Sequence, residues 1–453
     1  MAFDGLQIAL SSLQAQRRAL EVTGQNVSNV ATEGYSRQRV VQTANAGSVM
    51  PALFARSSGV GGGVLSSNVE RARDQFIEAR ANQEHAVDAN LTQLQGTLSR
   101  VELAFGEPGD NGLGAQIADF LAGFDDVANK PDDSAARSQL VERAKTLASS
   151  FSDIDGTLQA VRANAIEELQ SSTVDVNATA SRIAELNQRI QVAVTSGLSP
   201  NDLMDQRDLA ASDLASSIGA TIRPMSNGTV DIYVGGTALV RGSQANSLQV
   251  NVGATPPNTV SVNWTKDGQP ASVGGTAGGQ LSTANDIAPR YRAELTAVAT
   301  KLHDEVNALH TTGFGQDGVS GRDFFGFDAN GNLMVDPAIA ADPNKVGASG
   351  SAAATKDGSI ARQLATLTGT ESDYRGLVVR LGVESQTATR RVEIQAGITD
   401  QVETAREASS GVDMDEEMTN MLMFQHAYDA AARLMSTIDA NLDTLINRTG
   451  AGR

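Results

Sequence analysis

Apolar residues recur about every 3.5 positions at both ends of the chain, the period that keeps one stripe facing a partner helix. Near the N-terminus the stripe runs Leu6, Leu10, Leu13, Arg17, Leu20, Gly24, Val27, imperfect at Arg17 and Gly24, with Asp4 and Gln7 spaced like a helix cap. Near the C-terminus it runs Met414, Glu417, Met421, Phe424, Tyr428, Ala431, Met435, Ile438, Leu442, Leu445, and only Glu417 breaks it. Both segments read as amphipathic helices, roughly 40 and 50 Å long. Such helices are marginal alone in water, so each needs something to bury its stripe. The nearest candidate for each is the other, and a sharper reading has the two ends also complete a seam with neighbouring copies.

Between the ends the same spacing holds through Ile77, Arg80, Glu84, Val87, Leu91, Leu94, Leu98, Val101 and Phe105, until "GEPGDNG" stops the helix. A shorter stretch over 113–128 carries Leu113, Ile117, Phe120, Leu121 and Phe124. After "NKPDDS" a long helix is predicted from Leu140 through Val161 and, past a phase shift, to Ile190, with another reaching about residue 218. The period then drops to two. "TVDIYVGGTALVRG" (229–242), "SLQVNV" (247–252) and "NTVSVNW" (258–264) read as antiparallel strands. "VGGTAGGQL" returns the chain to helix over 281–311, and "DFFGFDANGNLMV" reads as a hairpin with an Asn-Gly turn. Residues 343–358 read as loop, with helix again near Ile360 and after Tyr374.

The pattern as a whole predicts an α+β fold, mainly α and elongated. A terminal domain (1–62 plus 410–453) pairs its helices in coiled-coil fashion. A helical bundle domain (63–225 plus 281–409) carries a small hairpin, and 226–280 form an inserted β-rich portion.

Composition narrows the function. With 453 residues and 40 % hydrophobic positions the chain can bury a sizeable core. Acids outnumber Lys plus Arg by 53 to 35, a net charge of −18, which excludes phosphate-backbone binding and so nucleic acid. Aromatics make up 4 %, with Trp264 the single tryptophan, so Ala, Leu, Val and Ile must build thin helical layers. There is no Cys, which removes disulfides, thiolate zinc sites and cysteine nucleophiles together. No segment approaches the roughly eighteen apolar residues of a membrane span, so no membrane insertion is expected. The first residues also lack the pattern of a secretory signal peptide.

Candidate chemistry does not assemble. Asp328, Asn330 and Asn332 have calcium-loop spacing, but Leu333 stands where the loop needs Gly and Ile339 where it needs Glu. "GVGGGV" (59–64) lacks the Lys-Ser/Thr pair of a phosphate loop and reads as a flexible joint. His303 and His310 share a helix face without a zincin acid, and no G-x-S-x-G elbow occurs. Asp415, Glu416 and Glu417 suit a helix N-terminus, where negative charge is stabilised. No catalytic, metal or cofactor site is expected, and a hidden enzyme such as a cell-wall hydrolase would need a site this sequence does not show.

"NVSNVATEGYSRQ" (26–38), following "LQIALSSLQAQRRALEVTGQ", resembles the N-terminal motif of bacterial flagellar rod, hook and hook-associated proteins, and its "ATEGYSRQ" ending looks like members that join hook to filament. Residues 201–242, 278–314 and 410–447 are similar to further stretches of those members. The compact span between the hairpin and the helix after Tyr374 leaves little room for the outer domain that longer members carry. The resemblance implies a structural subunit exported by the type III route and assembled as a ring between hook and filament, cytoplasmic before export and extracellular afterwards. Its implied partners are hook protein, a second junction protein adjoining the filament, other copies of itself, and a cytosolic export chaperone. Coupled folding on assembly would bury the terminal stripes, so the free subunit need not hold its ends folded.

The expected assembly residues are Leu6, Leu10, Leu13, Leu20, Asn26, Val27, Asn29, Thr32, Gly34, Tyr35, Met414, Met421, Phe424, Tyr428, Met435, Ile438, Leu442 and Leu445. Asn26, Asn29 and Thr32 can bond nearby backbone as the helix ends, and Gly34 gives the turn its freedom. The chaperone is expected on Met421, Phe424, Tyr428, Met435 and Leu442, a Met-rich stripe suited to a groove. Another axial protein of rod or hook type would lack the long helices between 77 and 196. A secreted coiled-coil effector would leave the sheet and the polar turn unexplained.

Overall fold

The structure, a computed structural model, describes residues 2–45, 61–109, 112–254, 258–354 and 356–444. In chain order come α1 (Ala2–Ser28), β1 (Gln38–Ala44), β2 (Val64–Arg71), α2 (Gln75–Phe105), α3 (Leu113–Asn129), α4 (Ser134–Thr195) and α5 (Asn201–Ile218). Strands β3 (Thr221–Pro224), β4 (Val230–Val234), β5 (Thr237–Arg241) and β6 (Gln244–Ala245) form one antiparallel sheet, and β7 (Leu248–Val252) pairs with β8 (Val260–Trp264). Helix α6 (Gly275–Ser282) passes through a π-helical turn at Thr283–Ile287 into α7 (Ala288–His310). The hairpin β9 (Phe325–Phe327) and β10 (Leu333–Val335) precedes α8 (Pro337–Ala341), α9 (Ser359–Ala365), α10 (Gly369–Ser410) and α11 (Met414–Asp443). The fold is mainly α with small antiparallel sheets, as the periodicity predicts.

Several local expectations change. Helix α1 begins at Ala2, upstream of the position the spacing gives to its cap. The predicted phase shift leaves no break, because α4 runs unbroken for 62 residues. Strands β1 and β2 are not marked by the apolar pattern; Gln38 pairs with Arg71 and Ala44 with Val64 around a bulge at Val41/Gln42. The glycine-rich tract before 281 is itself helical, for a steric reason. A Cβ on Gly279 would stand 2.7 Å from the Gln93 Cβ, so glycine lets α6 lie directly against α2. Residues 59 and 60 of the expected joint, and Leu445, lie outside the described residues.

The chain divides into two compact units. One comprises Met1–His85, Val176–Ser247 and Gly397–Arg453, the other Ala86–Asp175 and Leu248–Ala396. Residues 63–85 and 176–247 thus group with the chain ends, and the β-rich stretch is shared out between the units at Ser247/Leu248.

In the second unit a single core gathers α3, α4, α7, the β9–β10 hairpin and α9 around Phe120, Phe124, Phe324 and Phe325, whose rings lie 4.9 to 5.6 Å apart. Arg137 is buried beside it and donates to the Pro131 and Val346 carbonyls, which satisfies its fork without an acid. His310 is equally enclosed. Its Nδ1 donates to the Arg322 carbonyl and its Nε2 accepts from Gly347 N–H, and burial pushes its pKa down to about 4. It is a core histidine; His303 lies at the surface against Asp304 and Phe327. The Asp328 carboxylate accepts from the Asn330 and Asn332 amides and from Asn332 Nδ2, so it closes the hairpin loop from within.

In the first unit α5 and the end of α4 cover the β3–β6 sheet. Asn187 of α4 is fully buried and substitutes for a strand, donating to the Val230 and Gly242 carbonyls and accepting from Val230 N–H. α1 packs along α11.

Candidate assembly site at the chain ends

The α1–α11 pair is built mainly from small residues. Among the described residues, Ala9, Ala15, Ala19 and Val22 are the buried apolar positions of α1, and Ala431 is the buried one of α11. The leucine stripe at Leu6, Leu13 and Leu20 is only half-buried and Leu10 is exposed; Val27 is half-buried. The 3.5-residue reading located the helix but not its packed face, because small side chains bring two helix axes close and push larger ones to the flanks. On α11, Met421, Phe424, Met435, Ile438 and Leu442 are half-buried, on the same face as buried Glu417 and Ala431, while Met414 and Tyr428 are exposed. Met418, Leu422, Met423 and Leu434 stay outside as well.

At the other end of α1 the contact becomes polar. Asp413 caps α11, accepting from the Asp415 and Glu416 amides. Glu417, the residue that interrupts the apolar stripe, is only 2 % exposed. It accepts from Arg37 Nε at 2.7 Å and from Asn26 Nδ2 at 3.1 Å. Arg37 also forks onto Glu416 at 2.7 and 3.1 Å, and its amide donates to the Ser410 carbonyl at 2.9 Å. One residue therefore grips both sides of the break between α10 and α11.

Asn26 is held in turn. Its Nδ2 also donates to the Gln38 carbonyl, and its Oδ1 accepts from Gln38 N–H and the Tyr35 hydroxyl, each at 2.9 Å. Burial, with Asp205 beside it, pushes the Tyr35 phenol well above its ordinary range, so it remains a donor. Asn26, one of the expected assembly residues, is 1 % exposed, and its amide is engaged inside this subunit.

The rest of the turn is local. Asn29 Nδ2 donates to the Gln25 carbonyl and Thr32 Oγ1 to Asn29 Oδ1, capping the end of α1. Gly34 sits at φ +76°, where a Cβ would also stand 3.2 Å from the Leu209 Cβ. From there Ser36 Oγ donates to Asp205 of α5 at 2.8 Å. Arg71 joins Asp205 to Asp208 at 2.9 and 2.7 Å, and Arg73 and Arg207 close on Asp208. Burial works to raise Asp208, but Arg207, Arg71 and Arg73 outweigh it and keep the carboxyl below its usual range. A groove of about 730 Å³ runs alongside, lined by Leu198, Met204 and Met225 and by these arginines and Asp208, which are already paired with one another.

Arg37, Ser36, Asp205, Asp208 and Arg71 thus complete the site, although the sequence marked none of them as its residues. The available signal was an acid on an apolar stripe at Glu417 and a polar turn followed by Arg37. Neither indicates which residues meet. Among the described residues no cluster of three or more His, Cys, Asp or Glu could hold a metal ion, and no helix is long and apolar enough to cross a membrane.

Comparison with known proteins gives this geometry a family. Residues 98–325 match the family model described as the flagellar hook-associated protein FlgK helical domain. Residues 6–35 match that of the flagella basal body rod protein, and 406–448 that of the flagellar basal body rod FlgEFG protein C-terminal region. The chain is 30 % identical to flagellar hook-associated protein 1 of Bacillus subtilis (strain 168), over 99 % of both chains. It is 25 % identical to the protein of that name in Escherichia coli (strain K12), over 97 % of this chain and 98 % of the other. The solved flagellar hook junction protein FlgK from Burkholderia pseudomallei aligns with a TM-score of 0.50 at 27 % identity, covering 55 % of this chain and 47 % of that one.

Proposed function

We propose, because this chain belongs to the flagellar hook-associated protein 1 family and so is an axial junction component of the bacterial flagellum, that its terminal helix pair is the surface through which copies assemble. The copies form a ring between hook and filament, meeting hook protein on one side and a second junction protein on the other. Each subunit leaves the cytosol by type III export before it joins the flagellum, and the role is structural, with no substrate turned over.

The observation that carries this reading is the set of apolar side chains the pair leaves outside. Leu10, Met418, Leu422, Met423 and Leu434 are each between 46 and 54 % exposed, apolar surface available to a partner. The half-buried Leu6, Leu13 and Leu20 flank it. The chaperone reading gains a physical form from the same geometry. Met421, Phe424, Met435 and Leu442 lie half-buried on the packed face of α11, so a chaperone that holds them before export takes the place of α1.

The double variant Met418→Asp, Leu422→Asp tests the assembly surface. Both sites are exposed, so the purified subunit should keep its thermal stability to within about 0.5 kcal/mol. Cells carrying it should shed filaments and lose motility. Normal motility with the variant would sink the reading.

A further inference from the structure

We propose that Glu417, with Asn26 and Arg37, sets the register of the terminal helix pair, a task the apolar seam leaves undone. Two anchor points define that register. Asn26 meets Glu417, and Gly5 lies against Ile438, where a Cβ would stand 3.1 Å from the Ile438 Cδ1. The anchors are the same 21 residues apart on each helix, so the pair runs antiparallel without slippage between them.

The seam between the anchors has little to say about alignment. Its buried apolar positions are Ala9, Ala15, Ala19 and Val22 on one side and Ala431 on the other, small side chains throughout. Sliding one helix by a turn, about 5.4 Å, sets small residues against small residues again, with few knobs withdrawn from fitted holes. The polar anchor does not tolerate the same slide. It would carry the Glu417 carboxylate away from Asn26 while leaving it buried, and a buried carboxylate that loses a donor is costly. Asn26 cannot follow, because Gln38 and Tyr35 hold its amide on the α1 side. The Arg37 backbone is tied outside α11, to the Ser410 carbonyl. A rigid polar contact beside a permissive apolar seam is the arrangement by which helix pairs choose one register at some cost in stability.

Leu10 on α1 and Met418 and Leu422 on α11 are exposed, and their positions relative to one another along the pair depend on the register. The consequence for assembly rests on the assembly reading above; the register key itself does not.

The chain has no cysteine, so thiol cross-linking reads the register directly. Gly5→Cys is combined in turn with Ile438→Cys, Leu434→Cys or Leu442→Cys in the purified full chain. Each pair is treated with a short thiol-specific cross-linker. With Glu417 present, the 5–438 pair should dominate. With Glu417→Leu, most of the product should move to the pairs with 434 and 442 while helix content stays the same. Glu417→Gln keeps an acceptor for Asn26 and should return the product to 438. An unchanged preference for 438 in Glu417→Leu overturns the proposal. So does loss of every cross-link in that variant, since the contact would then hold the helices together without choosing between alignments. Slipped cross-links in cells that still swim normally would leave the register key standing and remove the assembly reading.

Discussion

The aromatic core of one unit and the helix pair of the other solve opposite problems with the same chain. Phe120, Phe124, Phe324 and Phe325 interlock as large, fully enclosed rings, so their shapes alone specify the arrangement. The α1–α11 pair buries alanines, which make close contact but fit many alignments, and it leaves specificity to a buried carboxylate and its donors. The first arrangement uses its apolar surface up inside one copy. The second keeps a portion of it outside, and the proposed assembly surface draws on that portion.

The contrast predicts where damage goes. The largest effect belongs to Phe120→Ala, which opens a cavity among three other rings and should cost about 3–5 kcal/mol in denaturant unfolding. Hydrogen exchange of amides 417–442 should be unchanged if the helix pair draws nothing from that core; faster exchange there would break the contrast.

Acid should find the same core through His310. Its folded pKa of about 4 lies below the ordinary 6.5, so as pH falls the unfolded chain takes up the proton first. Stability from this group is complete above about 6.5 and is lost between there and 4, by on the order of 3 kcal/mol. Protonating Nε2 also removes the acceptor for Gly347 N–H. Denaturation midpoints between pH 7 and 4 should therefore fall more steeply in the native chain than in His310→Gln. Equal slopes would show that the histidine is not the titrating group.

Arg37→Ala should act at the ends instead. It leaves buried Glu417 with Asn26 alone, and since the Arg37 side chain is 25 % exposed the loss is about 2 kcal/mol and not the full cost of a buried pair. Amides of 5–28 and 417–442 should then exchange about thirtyfold faster. The core around Phe120 should keep its protection. Arg37→Lys should recover only part, because an ammonium cannot fork onto Glu416 while reaching Glu417. Uniform loss of protection across both regions would erase the distinction between them.

Much of the molecule is legible from local pattern. The 3.5-residue stripes mark α1, α2, α3, α4 and α11, and "DFFGFDANGNLMV" announces β9, β10 and their turn, because each signal lies within a few residues of the structure it forms. The short strands β1, β2 and β3 escaped. Their Val and Thr are scattered among Arg, Gln and Ser without clean alternation, and β1 and β2 are held by pairing across a gap in sequence. α6 escaped because five of its eight residues are glycines or small polar ones, which local propensity counts against a helix; contact with Gln93 of α2 decides otherwise.

By itself, then, the sequence determined that both ends are helices with an apolar side, that an acid interrupts one of them, and that a polar turn follows the other. It could not determine which side of α1 is packed, since alanine and leucine stripes one position apart carry similar periodicity and only a partner's closeness selects the smaller. Nor could it tell that Glu417 is a contact and not a flaw. Its donors Asn26 and Arg37 lie 391 and 380 residues away along the chain, and a buried carboxylate is tolerable only where folding brings such donors to it.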